Sequence, residues 1–326
     1  MKAEILKMLR KNDGYISGQQ ICEYFGVSRT AVWKAINQLK EEGYVVEAIR
    51  NKGYRILSSP DITTKEELES QINTSWAGRT IYYYAELDST NLEAKRLGEK
   101  GAPHGTLAVA DMQTAGRGRR GRGWSSPSGS SIYMTILLRP DLEPNRAPMM
   151  TLIMAYSVAC AVQEQTGLEA KIKWPNDIVI HGHKICGILT EMSTEIDYIH
   201  YVIIGVGINV NIQEFPEEIR ETATSLSLEL GQAVKRSSLL ACVMSHFEKN
   251  YQVFMETQDL SKLREKYNQL LVNYGREVKV LGETVSYHAI ALGINDKGEL
   301  QVKKEDGTEA SILSGEVSVR GIYGYV

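Results

Sequence analysis

The sequence predicts a multidomain α+β protein of three modules, and three observations carry that reading. Its 326 residues exceed an ordinary single domain of ~100–200 residues. Its first 60 residues carry ten Lys/Arg against six Asp/Glu, a net of +4, whereas the rest carries 27 against 34. Beyond residue 272 a helix-and-strand mixture gives way to short strands separated by turn signals. A composition of 43% hydrophobic and 24% charged residues is that of an average globular chain, which excludes disorder, collagen and coiled coil as overall descriptions. The net charge of −3 argues against a general nucleic-acid coat. The basic start on an acidic body instead points to a separate basic module.

The basic module reads as three helices and a hairpin. Ile5, Leu6, Met8 and Leu9 form one helical stripe over residues 3–11, which Gly14 interrupts. Ser17-Gly18-Gln19-Gln20 has capping-box spacing and opens a second helix through Ile21, Cys22 and Phe25. Gly26-Val27 turns the chain, and Ser28 caps a third helix over 29–42 that buries Val32, Ile36 and Leu39 and stops at Gly43. Trp33 and Phe25 are read as core. Strands over 44–49 and 54–57, joined by Arg50-Asn51-Lys52-Gly53, complete a winged helix-turn-helix pattern over 1–60.

Residues 61–75 read as a linker, with a short helix opened by the capping pattern Thr64-Lys65-Glu66-Glu67. The central module, 76–272, offers strands over 80–87, 106–110, 131–138, 170–174, 178–180, 184–192 and 198–205, and helices over 91–100, 147–166, 237–257 and 260–272. Several strands adjoin without room for a helical crossover, so the sheet is mixed or mostly antiparallel. Strands over 277–281, 285–294, 299–303 and 309–313 make 273–326 a small all-β barrel.

Cys22, Cys160, Cys186 and Cys242 lie far apart and make no C-x-x-C pair, so neither a disulfide framework nor a zinc site is indicated. The charged N-terminus has no signal core, and the longest nearly apolar run, Leu152 to Val162, is too short to span a bilayer. These features predict a cytoplasmic protein with no membrane partner. His181 and His183 sit two apart in a turn with nothing to complete a ligand set, and no resident metal is expected.

Four segments suggest chemistry. Gly116-Arg117-Gly118-Arg119-Arg120-Gly121-Arg122-Gly123-Trp124 places four arginines and four glycines in its first eight residues. Such a run packs as neither helix nor strand. Its glycines allow close backbone approach and its arginines offer forked donors to phosphate or carboxylate. A solvated basic loop and an RNA-binding RGG-like segment compete with an arginine lid over a polyphosphate. Lys173-Trp174-Pro175-Asn176-Asp177 reads as a turn between strands, followed at once by Lys184 and Gly187. Asp88-Ser89-Thr90-Asn91 either caps a helix or binds a polar ligand. Gly205-Val206-Gly207-Ile208-Asn209 lacks the third glycine of a dinucleotide fingerprint.

Together these segments, with Gln113 and Gly315-Glu316-Val317-Ser318-Val319-Arg320, resemble the biotin–protein ligase family. With its helix-turn-helix the chain looks like the bifunctional bacterial form, a ligase that is also a biotin operon repressor. The resemblance implies a class II synthetase-like central domain and a C-terminal SH3-like barrel. It also implies a carbon–nitrogen bond-forming ligase reaction: biotin and ATP give biotinyl-5′-AMP, and the biotinyl group passes to a lysine of the biotin carboxyl carrier protein of acetyl-CoA carboxylase. Mg²⁺ accompanies ATP. Ser89, Thr90, Asn91, Gln113, Arg117, Gly118, Arg119 and Lys184 match biotin-binding positions. Gly116, Arg117, Arg119, Arg120, Arg122, Trp124, Asn176, Asn209 and Arg320 match adenylate-binding positions. Arg119, Lys184 and Asp177 are the catalytic candidates, and Asp177 either orients or deprotonates the attacking lysine, coordinates, or meets the ribose.

In the helix-turn-helix, Ser28, Arg29, Thr30 and Lys34 open the recognition helix and Lys52 sits on the wing, the positions from which DNA is gripped and read. A protein-interaction module of the same fold is the alternative. The resemblance further implies a homodimer promoted by biotinyl-5′-AMP that binds the biotin operon operator.

Overall fold

The computed structural model describes residues 1–281, 286–313 and 318–321, the last as backbone alone. In the N-terminal module, α1 (Lys2–Lys11), α2 (Gly18–Phe25) and α3 (Arg29–Glu41) precede the antiparallel hairpin β1 (Val45–Ile49) and β2 (Gly53–Ser58). The capping box at α2 forms in full: Gln20 N–H donates to Ser17 Oγ, and the Gln20 side chain returns to Ser17 N–H. Ser28 caps α3 through the Ala31 amide. Ile5, Leu6, Leu9, Ile21, Val32, Ile36 and Leu39 close one small core.

Trp33 does not join it. The buried stripe of α3 is Val32, Ala35, Ile36 and Leu39. Trp33 falls outside that stripe and remains 56% exposed, so side-chain size misled where helical phase decides. Phe25 packs at the core's margin.

The stretch read as a linker is built into the protein. It holds α4 (Lys65–Gln71), whose Leu68 enters the central core together with Ile72. Thr64 makes no side-chain cap, and the Glu67 side chain, which a capping box would return to the Thr64 amide, is instead turned inward and fully buried. Its carboxylate accepts from Arg10 Nη2 of α1 at 2.7 and 2.8 Å and from the hydroxyls of Tyr44 and Ser237. A buried carboxylate is tolerable only when so satisfied, and this one fastens the N-terminal module to the body.

The body is a seven-stranded mixed sheet. Its elements are β3 (Ile81–Leu87), α5 (Thr90–Glu99), β4 (Thr106–Gln113), β5 (Ser131–Leu138), α6 (Met149–Thr166), β6 (Lys171–Lys173), β7 (Asp177–Ile180), β8 (His183–Thr194), β9 (Ile199–Asn209), α7 (Leu226–Leu230), α8 (Arg236–Thr257) and α9 (Arg264–Leu270). The strand order is β3-β4-β5-β9-β8-β7-β6. Only β3 and β4, joined through α5, run parallel. Both strands that end at the cleft outrun their expected limits, β4 to Gln113 and β9 to Asn209. Gly205 and Gly207 resemble strand breakers in sequence, yet here they pair regularly with β5 and β8. α7 was not anticipated, and α9 is shorter than the expected 260–272.

α6 is apolar on nearly every side and is accordingly buried against the sheet and α8. At the start of α8, the Arg236 side chain is only 2% exposed. It pairs with Asp61 at 3.0 Å and with Asp111, at the end of β4, at 2.9 Å.

The C-terminal module, expected as a barrel, is a five-stranded antiparallel sheet of β10 (Glu277–Leu281), β11 (Ser286–Ile294), β12 (Leu300–Lys304), β13 (Glu309–Ile312) and β14 (Ser318–Gly321), ordered β13-β12-β11-β10-β14. It is tied to the body where Trp174 Nε1 donates to the Gly298 carbonyl at 3.0 Å. The segment 315–317 lies outside the described residues, and so does the Arg320 side chain.

Candidate active site

A cleft of about 460 Å³ opens over one end of the central sheet, a volume suited to a small organic ligand. Of the expected ligand-site residues, Ser89, Thr90, Asn91, Gln113, Arg117, Gly118, Arg119, Arg120, Arg122, Trp124, Asn176, Asp177, Lys184 and Asn209 all line it. Gly116 stands just behind, accepting the Trp124 amide at 2.9 Å. Arg320 falls on β14, whose side chains lie outside the described residues.

The start of α5 forms one wall. Thr90 donates its backbone N–H to Gln113 Oε1 at 2.8 Å, and Gln113 Nε2 donates to Ser126 Oγ at 2.9 Å. Asn91 Nδ2 donates to Glu191 Oε2 at 2.8 Å, while Asn91 Oδ1 accepts from Thr135 at 2.7 Å. Ser89 and Asn91 are therefore not simple helix caps; Ser89 makes no side-chain cap at all. Burial alone would raise the Glu191 carboxyl, but bonds from Lys95 and Asn91 hold it below its ordinary value.

The arginine run folds as a tight hairpin. Gly118 N–H donates to Arg122 O at 2.7 Å, a short 3₁₀ turn covers Arg119–Gly121, and Arg120 takes φ 56°. Its root is held where a side chain on Gly116 would come 2.4 Å from Trp124 O. Arg119 reaches across to donate to Asn176 Oδ1 at 2.8 Å. Burial lowers the Arg119 pKa and Asp177 raises it, with a net lowering.

Opposite lies Lys184, whose Nζ is 2.6 Å from Asp177 Oδ1 and 5.4 Å from the centre of the Trp124 ring. Asn176 Nδ2 bonds Asp177 Oδ1 at 3.1 Å and the Ile188 carbonyl at 3.1 Å. Arg119, Asn176, Asp177 and Lys184 thus form one connected polar chain along the cleft.

The floor explains the glycines. Gly187 of β8 and Gly207 of β9 are paired across the sheet, and the Trp124 indole lies over both. A Cβ would come 2.9 Å from the ring at Gly187 and 2.6 Å from it at Gly207. At Gly205 a Cβ would meet Asn91 Oδ1 at 1.9 Å. These positions need glycine for close approach rather than for turns. The sequence reading missed Glu191, Thr135 and Ser126, whose roles appear only in the folded contacts. It also missed a wall from the loop after β9, including Phe215 and Ile219, and Leu281 of the C-terminal sheet.

Among the described residues, Asp177 and Glu214 are the only acids that line the cleft, against Arg117, Arg119, Arg120, Arg122, Lys173 and Lys184. Such a lining favours a ligand rich in negative charge, gripped through forked and point-charge donors. In the N-terminal module Ser28, Arg29, Thr30 and Lys34 lie exposed along the first turns of α3, and Lys52 is exposed on the wing. Arg29 leans on Gln19 at 3.1 Å.

Comparison with known proteins gives three family matches along the chain: "HTH domain" over residues 2–55, "Biotin/lipoate A/B protein ligase family" over 83–209, and "Biotin protein ligase C terminal domain" over 274–320. The chain is 40% identical to a bifunctional ligase/repressor of Bacillus subtilis over 94% of each protein, and 28% identical to that of Escherichia coli over 96% and 95%. A solved biotin protein ligase from Aquifex aeolicus, in complex with biotin and ATP, superimposes with a TM-score of 0.67 at 35% identity, covering 74% of this chain and 99% of that one.

Proposed function

The chain belongs to the biotin/lipoate A/B protein ligase family, and from that premise we propose that it is an ATP-dependent biotin–protein ligase and a biotin-responsive repressor of the biotin biosynthesis operon. The observation that carries the ligase reading is the convergence in one cleft of the arginine hairpin, the Asp177–Lys184 pair and the polar start of α5.

The chemistry asks a carboxylate to approach a phosphate. A biotin carboxylate oxygen bonds to the α-phosphorus of ATP, the bond to the β-phosphate oxygen breaks, and pyrophosphate leaves with that electron pair. Two anions meet, so cations must be in place before charge develops. Ser89, Thr90, Asn91 and Gln113 orient the polar end of biotin, held by the contacts to Ser126, Thr135 and Glu191 described above. Arg117, Gly118 and Arg119 close over the ligand from the hairpin. Lys184 stands where carboxylate and α-phosphate meet. Gly116, Arg120, Arg122, Trp124, Asn176 and Asn209 face the adenylate, and the family resemblance assigns Arg320 to the same set. The hairpin over the cleft keeps water from the mixed anhydride.

Magnesium fits this lining as a companion of ATP rather than a caged ion. Asp177 is engaged by Lys184 and Glu214 is the second acid of the lining, and Mg²⁺ binds through one or two carboxylates together with substrate phosphates. When bound it neutralises phosphate charge. In the second half-reaction a lysine amine of the biotin carboxyl carrier protein attacks the biotinyl carbonyl and AMP departs. Asp177 orients that amine or accepts its proton.

The repressor reading rests on the winged helix-turn-helix and its exposed basic face. A homodimer promoted by biotinyl-5′-AMP presents two recognition helices to a two-fold operator. No helix among the described residues is long and apolar enough to cross a membrane, and all four cysteines are free, which suits the cytoplasm. The test is transfer: intact mass of a biotin carrier domain incubated with protein, ATP, Mg²⁺ and an equal mixture of biotin and lipoate. One biotinyl addition is expected. A lipoyl addition, or none, overturns the reading.

A further inference from the structure

We infer that Trp33 is a base-reading residue of the DNA interface, packing its indole against the 5-methyl group of a thymine in the major groove. The inference rests on the repressor reading above and adds which base chemistry the helix takes.

Trp33 is held on the surface at a cost. A large aromatic side chain is normally turned inward, yet Trp33 is 56% exposed while the core of α3 is complete without it. No hydrogen bond or ring contact engages it among the described residues. Its place on the helix decides what could cover it. At 100° per residue, Trp33 lies between Arg29 and Asn37 on the flank of the helix, about 110° from the centre of the buried stripe, and Thr30 and Lys34 continue the solvent side beyond Asn37. All but Asn37 of these are exposed. Arg29 and Lys34 belong to a module of net charge +4 within a chain of −3, which favours a polyanionic occupant over an apolar protein groove. The Ser28 cap places Trp33 at the fifth residue of the helix, within the N-terminal turns that reach base edges in a helix-turn-helix.

In the major groove, arginine and lysine address phosphates and hydrogen-bonding base edges. They leave unread the one apolar mark on a base pair, the thymine methyl. An indole face supplies the contact that mark needs.

The experiment separates this inference from the reading beneath it. Full-length protein with biotin, ATP and Mg²⁺ selects its preferred duplex from a randomised library, and affinity is then measured with each thymine replaced in turn by uracil, which removes only the methyl. For the wild type, one symmetry-related thymine in each half-site is expected to lose about fourfold on replacement, the weight of one buried methyl group. Trp33→Ala is expected to bind the thymine duplex more weakly, to be indifferent to that replacement and to keep its thermal midpoint. If the wild type ignores every methyl, or Trp33→Ala responds to uracil as the wild type does, the inference fails while the repressor reading stands. If no duplex is enriched, the repressor reading itself fails and takes this inference with it.

Discussion

Gly187 and Gly207 face each other across β8 and β9, and the gap left by their absent side chains is where the Trp124 indole lies. The arginine hairpin is thereby anchored to the sheet by an aromatic ring at its C-terminal end. Gly207→Ala is expected to displace that ring, because its Cβ would sit 2.6 Å from the indole and the sheet backbone cannot yield to it. Adenylate synthesis should fall about tenfold or more as the hairpin loses its seat, a change of about 1.4 kcal/mol in the barrier. Thermal unfolding should move down by a few degrees, as ~1–3 kcal/mol of overpacking implies. Unchanged adenylate synthesis would show that Trp124 does not hold the hairpin in its working position.

Arg119 crosses the cleft to Asn176 at 2.8 Å. Arg119→Gly removes that strap and leaves the fold intact, since the side chain is only half-buried. The bound intermediate should then escape faster, by at least about tenfold if one charge-assisted hydrogen bond is lost. Stopped-flow release of biotinyl-5′-AMP measures it, and an unchanged release rate contradicts the lid role.

Glu191 ties α5 to β8 through Asn91 and Lys95. Although burial opposes it, the carboxyl is held below its ordinary value of 4.5. A carboxylate depressed by folding contributes stability that is complete above its unfolded value and is lost as pH falls through the lower folded one. Glu191→Gln should therefore cost up to about 1 kcal/mol at neutral pH, in the range of partly exposed charge pairs. The gap from wild type should close below about pH 4, near the ordinary carboxyl range. A difference that persists unchanged in acid would mean the pair is not the cause.

Glu67 binds Arg10 of the N-terminal module while it is itself wholly buried in the body. Deleting residues 1–60 is expected to abolish operator binding and to leave adenylate synthesis measurable. The thermal midpoint should fall, because Glu67 loses Arg10 and Tyr44. Complete loss of adenylate synthesis would contradict the independence of the modules proposed at those boundaries.

How much of this was legible in the sequence depended on where the determining contact lay. The capping box of α2 is decided within four residues, so Ser17 and Gln20 announce it. The arginine run and the turn Lys173–Asp177 are compact too, and their residues meet in one cleft. Glu67 shows the limit: Thr64 and Glu67 have capping-box spacing, but Arg10 and Tyr44 offered the carboxylate better partners from distant parts of the chain. Gly207 reads in sequence only as part of an incomplete dinucleotide fingerprint, because the close approach that requires it comes from Trp124, brought over it by folding. Trp33 reads as core by its size, whereas its phase on the helix leaves it outside the buried stripe.

If the cleft joins biotin to AMP and the product is the signal for DNA binding, pyrophosphate release and operator-duplex binding must be coupled in one reaction. Release is expected only when biotin and ATP are both present with Mg²⁺, with a gain in operator affinity that tracks it. Operator binding that rises with biotin alone, without pyrophosphate release, would contradict that coupling.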